Sequence, residues 1–283
     1  DYYASRGLGD VYKRQGGNNM FNPDKLLFKQ AISGQMFSPT DGVLFWTLED
    51  LKDVNIQTNA TSQDKTDATG AVIAKYYDAD TVQITGNTSF LTLSLLAAQW
   101  GTEKNVASST NKILIPKREK IKVGSDITKI TLSKVPVGGI SFIYLLNERK
   151  EQVASYKYAA VNSEKEFSLD AAKKEITLPT DTAIKEGMTI QVYYTYESEN
   201  AVDITKSTND MPKSGEFWLE SIFTDICDKN IEYHGWVVVA SSQLSPETQI
   251  PLDKTGDFPF TIDSLKDYCS DEGQLLRFVI PED

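Results

Sequence analysis

The stretch GAVIAKYYDADTVQITGNTSFLTLSLLAAQWG, residues 70–101, decides how this chain folds. Apolar and polar residues alternate from Ala79 to Thr85, which places Val82 and Ile84 on one face. This is the period of a half-buried strand. The dipeptide Gly86-Asn87 is a turn signal. The sequence therefore predicts a strand that ends at this turn.

An apolar helix is predicted directly after the turn. Leucine and other apolar residues recur at spacings of three and four between Leu91 and Trp100. Thr88 or Ser89 is suited to cap the start, and Gly101 is suited to the left-handed conformation that ends many helices. Nearly all other segments predict as strand or loop. We therefore expect this lone helix to lie across a sheet and close its core.

Residues 1–15 are interpreted as a sequencing-adapter artefact and are set aside from the fold. Asp10–Gln15 back-translates as GAT GTG TAT AAG AGA CAG, which resembles a transposase end sequence used in library preparation. Ser5–Gly9 back-translates as the adapter arm that precedes that end. The alternative is a genuine, flexible N-terminal arm. The adapter interpretation predicts a metagenomic origin and a native start at Met20.

The composition is that of an acidic, β-rich protein. The net charge is −11, and removing residues 1–15, which sum to +1, leaves −12. This charge disfavours binding to nucleic acid or to an anionic membrane, because both need clustered Lys and Arg. No apolar run reaches the roughly 18 residues of a membrane span. Cys227 and Cys269 lie far apart and are interpreted as reduced, buried thiols.

The N-terminal third mixes predicted strands with polar segments. Residues 22–37 show no regular period and are interpreted as an arm. Val43–Leu48 predicts a buried strand from its β-branched and aromatic residues, and Leu48–Ile56 continues as a second extended piece. Asn59–Gly70, NATSQDKTDATG, has no apolar side chain larger than Ala. It predicts a polar loop that only a partner would order.

A separate module, with short strands at regular spacing, is predicted at 116–212, including its linkers. Pro116 and the mixed charges after it indicate a boundary. Glu186–Tyr196, a turn glycine followed by an alternating aromatic strand, resembles a late strand of immunoglobulin-like modules. Six short strands at regular spacing predict a small immunoglobulin-like β-sandwich. They are Ile127–Leu132, Ile140–Asn147, Ala154–Tyr158, Phe167–Leu169, Ile176–Leu178 and Met188–Tyr196.

Strands like those predicted before residue 116 resume after residue 213. Neither 16–115 nor 213–283 holds enough strands to close a core alone, so together they predict one discontinuous β domain with the module inserted between its halves. A short helical turn is predicted at Leu265–Tyr268. The predicted strands are Glu216–Glu220, Ile231–Ala240, Phe258–Ile262 and Leu275–Ile280.

The sequence offers no catalytic, cofactor-binding or metal-binding constellation, and we predict that the protein is not an enzyme. His234 is the only histidine, so any Ser-His-Asp or Cys-His scheme would depend on it, yet it lies mid-strand in no motif. One His and two distant Cys make no metal-ligand cluster. Asp253–Asp257, DKTGD, resembles the phosphorylated-aspartate motif of P-type ATPases but departs at its last residue, and predicts a turn. Forty Asp and Glu leave a two-carboxylate hydrolase open, although no pair stands out.

Three segments resemble, in order, the tail tube (major tail) proteins of tailed bacteriophages: Asp67–Gly70, the strand Thr81–Thr85 and the helix Leu91–Gly101. The stretch from Phe260 to Ile280 is similar to the closing strands of that family. An inserted immunoglobulin-like module is also a known elaboration of phage structural proteins. The resemblance covers about residues 40–101 and 213–283.

The resemblance implies a mainly β protein: an antiparallel β-sandwich or barrel-like tube domain with one short helix. It implies a homo-oligomer of stacked rings, usually of six subunits, around a DNA-conducting channel. Joining subunits removes open sheet edges, and an acidic wall lets DNA pass without specific binding. It also implies a virion structural protein of the tail, made in the host bacterial cytoplasm, with other tail proteins as partners.

The candidate site is the polar loop, which the resemblance makes a ring-stacking element. A rival interpretation is a phage decoration protein or bacterial surface-binding module that uses its immunoglobulin-like domain. A carboxylate-dependent hydrolase is a third. The candidate residues are Asn59, Thr61, Gln63, Asp64, Lys65, Asp67, Thr69 and Gly70.

Overall fold

The structure, a computed structural model, describes residues 23–78, 80–226, 230–266 and 273–281, and in them the chain is mainly β, as predicted. A short 3-10 helix, Pro23–Lys25, comes first, followed by β1 (Leu26–Phe37), β2 (Leu44–Leu48), β3 (Lys52–Asn59), β4 (Ser62–Thr66), β5 (Val72–Tyr77), β6 (Thr81–Thr88) and α1 (Leu93–Trp100). The central strands are β7 (Asn105–Val106), β8 (Ile113–Lys122), β9 (Lys129–Thr131), β10 (Phe142–Leu146), β11 (Gln152–Tyr158), β12 (Glu166–Asp170), β13 (Glu175–Thr177), β14 (Thr189–Ser198) and β15 (Val202–Asp203). The last strands are β16 (Ser214–Asp225), β17 (Glu232–Leu244), β18 (Phe258–Ser264) and β19 (Arg277–Val279).

The chain divides into two compact units. The first unit contains the described residues up to Glu103 and from Thr205 onward, and the second unit contains Lys104–Ile204. The sequence-based boundary at residue 116 lies inside β8, which runs unbroken to Lys122. Pro116 is tolerated there because β8 is an edge strand of its sheet, so one side of its backbone needs no N–H donor.

The first unit is built on an eight-stranded antiparallel sheet in the order β2-β1-β16-β17-β18-β6-β3, with β19 paired to β17. One face of this sheet is apolar and packs against α1 through Leu95 and Ala98. The prediction that the helix packs on a sheet is therefore confirmed. The core residues are Met36, Trp46, Leu48, Val82, Ile84, Leu95, Ala98, Phe217, Leu219, Val237, Val239, Leu244, Phe260 and Ile262.

The helix α1 begins later than the sequence predicted. Its N-cap residue is Thr92. Thr88, one of the two predicted caps, is instead the last residue of β6. Its end agrees with the prediction: Gly101 has a φ of +72°, and Thr102 N–H donates to the carbonyl of Ala97 at 2.9 Å. No described helix has the length and apolarity needed to cross a membrane.

The predicted turn at Gly86-Asn87 is wrong, because β6 continues through it to Thr88. Gly86 lies opposite Phe260 in the register with β18. A Cβ at this position would lie 2.7 Å from the Phe260 ring, closer than packed atoms approach. The glycine therefore makes room for an aromatic ring in the core, rather than marking a turn. The predicted first residue, Ala79, lies outside the described residues.

The predicted arm at 22–37 is also wrong, since most of it forms β1, a twelve-residue strand paired with both β2 and β16. Its register with β16 shifts twice, between Phe28 and Gln30 and between Ala31 and Ser33. Each shift moves the following side chains by one position relative to the faces of the sheet. This irregularity removes the alternation by which a strand is recognised in a sequence.

The second unit contains a seven-stranded sheet in the order β8-β14-β10-β11-β12-β13-β9. The six strands predicted between Ile127 and Tyr196 correspond to β9 through β14, and β8 adds an edge strand. Only β11 and β12 pair in parallel among the described strands of this unit. Buried residues from the strands and their loops form one core: Val123, Ile130, Leu132, Ile140, Ile143, Leu145, Tyr156, Phe167, Ile176, Leu178, Ile184, Ile190, Val192 and Tyr194.

The edge strand β8 is held in place by the carboxylate of Glu119. Tyr194 Oη donates to Glu119 Oε1 at 2.8 Å, and the backbone N–H of Ser133 donates to Oε2 at 3.2 Å. Lys117 Nζ lies 2.9 Å from Oε1. Burial raises the pKa of the Glu119 carboxyl, but the hydrogen bonds from its three partners outweigh burial and lower the pKa to about 2.

We expect Glu119 to make the second unit sensitive to acid. Its folded pKa of about 2 lies below the ordinary value of 4.5, so its stabilising contribution is fully present above pH 4.5 and is lost as the pH falls toward 2. Glu119→Gln should lower the melting temperature at pH 7 and flatten the decline between pH 5 and 2, as measured by scanning calorimetry. Glu148→Gln, in an exposed turn, is the matched control. Equal profiles for both variants would contradict this role.

Candidate assembly surface

The predicted stacking loop is part of a β-hairpin. The strands β4 and β5 pair antiparallel from Ser62 with Tyr77 to Thr66 with Val72. Neither strand pairs with any other described strand. The interpretation of Asn59–Gly70 as an irregular loop is therefore wrong. That segment supplies the polar strand and the turn, while the apolar strand follows Gly70 and was left out of the predicted loop.

The structure brings the eight predicted residues to this hairpin and its base. Lys75 Nζ on β5 lies 3.6 Å from Asp64 Oδ1 on β4. At the base, Thr61 Oγ1 donates to Asp78 Oδ2 at 2.8 Å, and Asp78 N–H donates to the Thr61 carbonyl at 2.8 Å. Asn59 ends β3, Thr61 precedes β4, Gln63, Asp64 and Lys65 lie on β4, and Asp67, Thr69 and Gly70 form the turn.

The turn at the hairpin tip is fixed by Asp67. Its Oδ1 accepts hydrogen bonds from the Thr69 N–H at 2.8 Å, the Thr69 hydroxyl at 2.6 Å and the Ala71 N–H at 3.0 Å. The hydrogen bond from the Thr69 hydroxyl is the largest cause that holds the pKa of Asp67 below its usual value. Gly70 adopts a φ of +86°, which favours glycine. The tip is thus a defined turn with ordered polar contacts.

Four large apolar side chains of the hairpin face solvent. Val72 is 52% exposed, Ile73 and Tyr76 are each 60% exposed, and Tyr77 is 71% exposed. An isolated two-stranded hairpin is marginally stable, and Tyr76 and Tyr77 are neighbours in the strand, so apolar rings are exposed on both faces of the hairpin. Sequence reasoning missed these residues, although the run AVIAKYY before Asp78 has the β-branched and aromatic content of a strand. We call β4, β5 and their turn the stacking hairpin.

The first unit also has two open sheet edges. Among the described strands, β2 and β3 each pair on one side only. Val43 beside β2 is 54% exposed and Leu44 within it is 47% exposed. Unpaired N–H and C=O groups along such an edge are a template for pairing with another chain. The two edges are therefore candidate contacts between neighbouring copies.

The sheet face opposite the core is polar on β3, β6 and β18. Gln83 Nε2 donates to Asp263 Oδ1 at 2.8 Å on this face. Because the alternate residues of β6 and β18 are buried, their polar neighbours in register point away from the core. On β16 and β17 the same face is mixed: Glu216 and Glu220 flank Trp218, whose ring lies 6.0 Å from that of Trp236. Its polar residues on β3, β6 and β18 include Asn55, Gln57, Gln83, Thr85, Thr261 and Asp263.

His234 also lies on the sheet face opposite the core, with Nδ1 3.4 Å from Glu220 Oε1 and a side chain that is 56% exposed. Asp253 accepts a hydrogen bond from Thr255 N–H at 2.9 Å, as suits the predicted turn. Within the described ranges, no group of three or more His, Cys, Asp or Glu is placed to hold a metal ion. Cys227 and Cys269 lie outside the described residues, as does half of the helical turn predicted at Leu265–Tyr268; its described half, Leu265 and Lys266, is not helical.

Charge is unevenly divided between the two units. Residues 104–204 carry 15 Lys and Arg against 13 Asp and Glu, a net charge of +2. The rest of the chain therefore carries −13. The net negative charge of the protein therefore comes entirely from residues outside 104–204.

Open sheet edges and an exposed apolar hairpin are surfaces suited to contacts with other chains, as in β-rich structural proteins. A model of the YomU/Tube protein family matches residues 29–278. The chain belongs to the YomU/Tube protein family, and is thus a phage tube-type structural protein of the tail. The predicted resemblance to phage tube proteins is confirmed at this level. A search of curated proteins found no match.

Proposed function

We propose that the protein is the tail tube subunit of a tailed phage, without catalytic activity, and that it polymerises into stacked rings around a DNA-conducting channel. The observation that carries this proposal is the stacking hairpin. It exposes Val72, Ile73, Tyr76 and Tyr77 in the single subunit. Burial of such side chains contributes about 1.5–3 kcal/mol each, so a surface that covers them in the next ring stabilises the assembly.

Ring closure in this proposal uses the two sheet edges of the first unit. The edge strand β2 of one subunit pairs with β3 of its neighbour, and repetition around an axis yields a closed barrel, with six subunits as the working number. A head-to-tail contact of this kind closes when the rotation per subunit divides a full turn. Closure removes both open edges, which accounts for the lack of a second strand partner for β2 and for β3 among the described strands.

The channel wall in this proposal is the sheet face opposite the core, because the other face is occupied by α1 and the core; this wall is polar on β3, β6 and β18 and includes Trp218 and Trp236 on β16 and β17. Side chains such as Gln83 and Thr85 carry no charge that attracts phosphate, and Glu216 and Glu220 repel it. The −13 charge outside residues 104–204 adds a long-range repulsion. DNA would therefore pass without specific binding. The second unit is proposed to be the immunoglobulin-like sandwich.

Assembly of the purified full-length chain tests this function. Size-exclusion chromatography with light scattering, followed by electron microscopy of concentrated protein, should show rings and tubes with an axial repeat. Assembly should persist at low micromolar concentration once tubes have formed, because each ring is held by several copies of the same contact. A strictly monomeric chain at high concentration, even with the products of neighbouring genes, would refute the tube proposal and favour a decoration or surface-binding protein.

A further inference from the structure

A cleft of about 630 Å³ opens on the second unit, a volume typical of ligand sites. Its floor contains the aromatic rings of Phe142, Tyr144 and Tyr193. Phe142 is 41% exposed and Tyr193 is 50% exposed. Tyr144 and Tyr193 meet edge to face, with ring centroids 6.0 Å apart. The cleft therefore presents aromatic surface to solvent in a concave setting.

One wall of the cleft is a fixed loop, Val137–Gly139. The Val137 N–H donates to the carbonyl of Thr195 at 2.8 Å, and Thr195 Oγ1 donates to the carbonyl of Val137 at 2.9 Å. Gly138 and Gly139 have φ values of +79° and +82°, and neither has an atom near the position of a Cβ. The loop is thus hydrogen-bonded to β14 at Val137. Because Gly138 and Gly139 have no side chains, this part of the loop leaves the cleft accessible.

The cleft contains an unpaired cation at its edge. Lys117 is neutralised by Glu119 at 2.9 Å. Arg118, by contrast, has no hydrogen-bond or ion-pair partner among the described residues, and it lies opposite Tyr193 in the register of β8 with β14. A free guanidinium binds a carboxylate or phosphate in a two-pronged geometry. Lys120 and Lys122 continue on the exposed side of β8 beyond the cleft.

Cations and rings form one row across four neighbouring strands. Arg118 pairs in register with Tyr193, and Phe142 pairs with Lys157. On β10 and β14, Ile143 lies opposite Val192. The antiparallel register therefore places Phe142, one residue before Ile143, beside Tyr193, one residue after Val192. Three spacings between strands make this row about 14 Å long. A charge at each end with two aromatic rings between them fits an extended ligand that carries both rings and negative groups.

We propose that this cleft binds a carboxylate-bearing polysaccharide, whose sugar rings lie on Tyr193 and Phe142 and whose carboxylate is held by Arg118. The net +2 of the second unit favours an anionic ligand in a chain that is acidic elsewhere. A single-stranded nucleic acid needs a continuous cationic groove along its backbone, whereas the cleft has one unpaired cation among its lining residues. This binding function goes beyond tube assembly and does not depend on it.

Affinity electrophoresis of the full-length chain in gels that contain polygalacturonate tests the proposal. The chain should be retarded by polygalacturonate and migrate normally in gels with neutral dextran. Arg118→Gln and Tyr193→Ala should each weaken retardation by about tenfold or more, the loss expected for a charge-assisted hydrogen bond or a stacked ring. Unchanged thermal unfolding of both variants would show that their folds are intact.

Lys185→Gln is the matched control, since it removes the same charge from an exposed position that does not line the cleft. It should leave retardation unchanged. Equal losses in Lys185→Gln and Arg118→Gln would overturn the proposal in favour of nonspecific charge attraction. Tighter binding of an oligo-dT strand that depends on Arg118 would make the cleft a nucleic-acid site. Normal migration in polygalacturonate would refute the site outright.

Discussion

Replacing the stacking hairpin with a two-residue turn should leave a folded subunit that no longer forms tubes. Asn59 and Thr81 lie opposite each other in the register of β3 and β6, so the two strands can be joined directly. An Asn-Gly dipeptide in place of residues 60–80 forms the turn that matches the twist of paired strands. The design removes β4 and β5 without changing the pairing of β3 with β6.

The shortened subunit should fold because the stacking hairpin contributes no residue to the core of the first unit. Every residue of β4 is exposed, and on β5 only Ala74 is partly covered. Tube formation should be lost because Val72, Ile73, Tyr76 and Tyr77 are then absent from every contact between rings. The loss recurs in each subunit of a ring, so the assembly should fall below detection at concentrations where the unmodified chain is fully polymerised.

Two substitutions separate the apolar contact from the hairpin backbone. Tyr76→Ser with Tyr77→Ser keeps β4, β5 and the Asp67 turn but removes the two rings, and it should also abolish tubes. Val161→Ser is the control, since Val161 is 76% exposed but belongs to the second unit. Electron microscopy gives the tube lengths, and circular dichroism checks the fold. Tubes of normal length from the shortened subunit would exclude the hairpin from stacking.

The second unit was the part of the fold most accessible from its sequence. Its strands alternate regularly between buried and exposed residues, as in β14, where Ile190, Val192 and Tyr194 are buried in turn. Short turns with positive-φ glycines, such as Gly187, separate them. Local pattern and tertiary environment agree there, so the pattern alone predicts the strands.

The first unit was harder to predict, because packing decided its local structure. The shifts in β1 between Phe28 and Gln30 and between Ala31 and Ser33 depend on its partner β16, which lies about 190 residues away in sequence. Gly86 lies within a strand because the Phe260 ring occupies the position that a Cβ of residue 86 would take. That ring comes from a segment distant in sequence. Neither requirement leaves a sign in the neighbouring residues.

The candidate site was predicted in its polar half only. Asp67, Thr69 and Gly70 have the composition of a turn, and the structure places a turn there. The apolar half, from Val72 to Tyr77, was not predicted as part of the candidate site, because large apolar residues are ordinarily expected to be buried in their own chain. A surface that copies of the chain bury in one another breaks this expectation. In the proposed assembly the complement of this surface lies on another subunit, which a single sequence pattern does not describe.

The junction at Gly101 connects the two sequence halves of the first unit. The carbonyl of Ala98 in α1 accepts hydrogen bonds from Gly101 N–H at 3.2 Å and from Lys213 N–H at 3.0 Å. Lys213 immediately precedes β16, so the end of the helix holds the chain where it returns to the main sheet. A Cβ at Gly101 would lie 1.7 Å from the carbonyl oxygen of Met211, which is far inside contact distance.

Gly101→Ala should therefore lower the free energy of unfolding of the first unit by about 3–5 kcal/mol, the range of a severe core or backbone defect. Gly42→Ala is the matched control: Gly42 has a similar φ of +69° but no atom within 4 Å of its Cβ position, so it should cost only about 1–2 kcal/mol. All four tryptophans lie outside residues 104–204, so their fluorescence during urea unfolding reports the first unit alone. Equal losses in the two variants would mean that backbone strain, rather than the contact with Met211, explains why glycine occupies position 101.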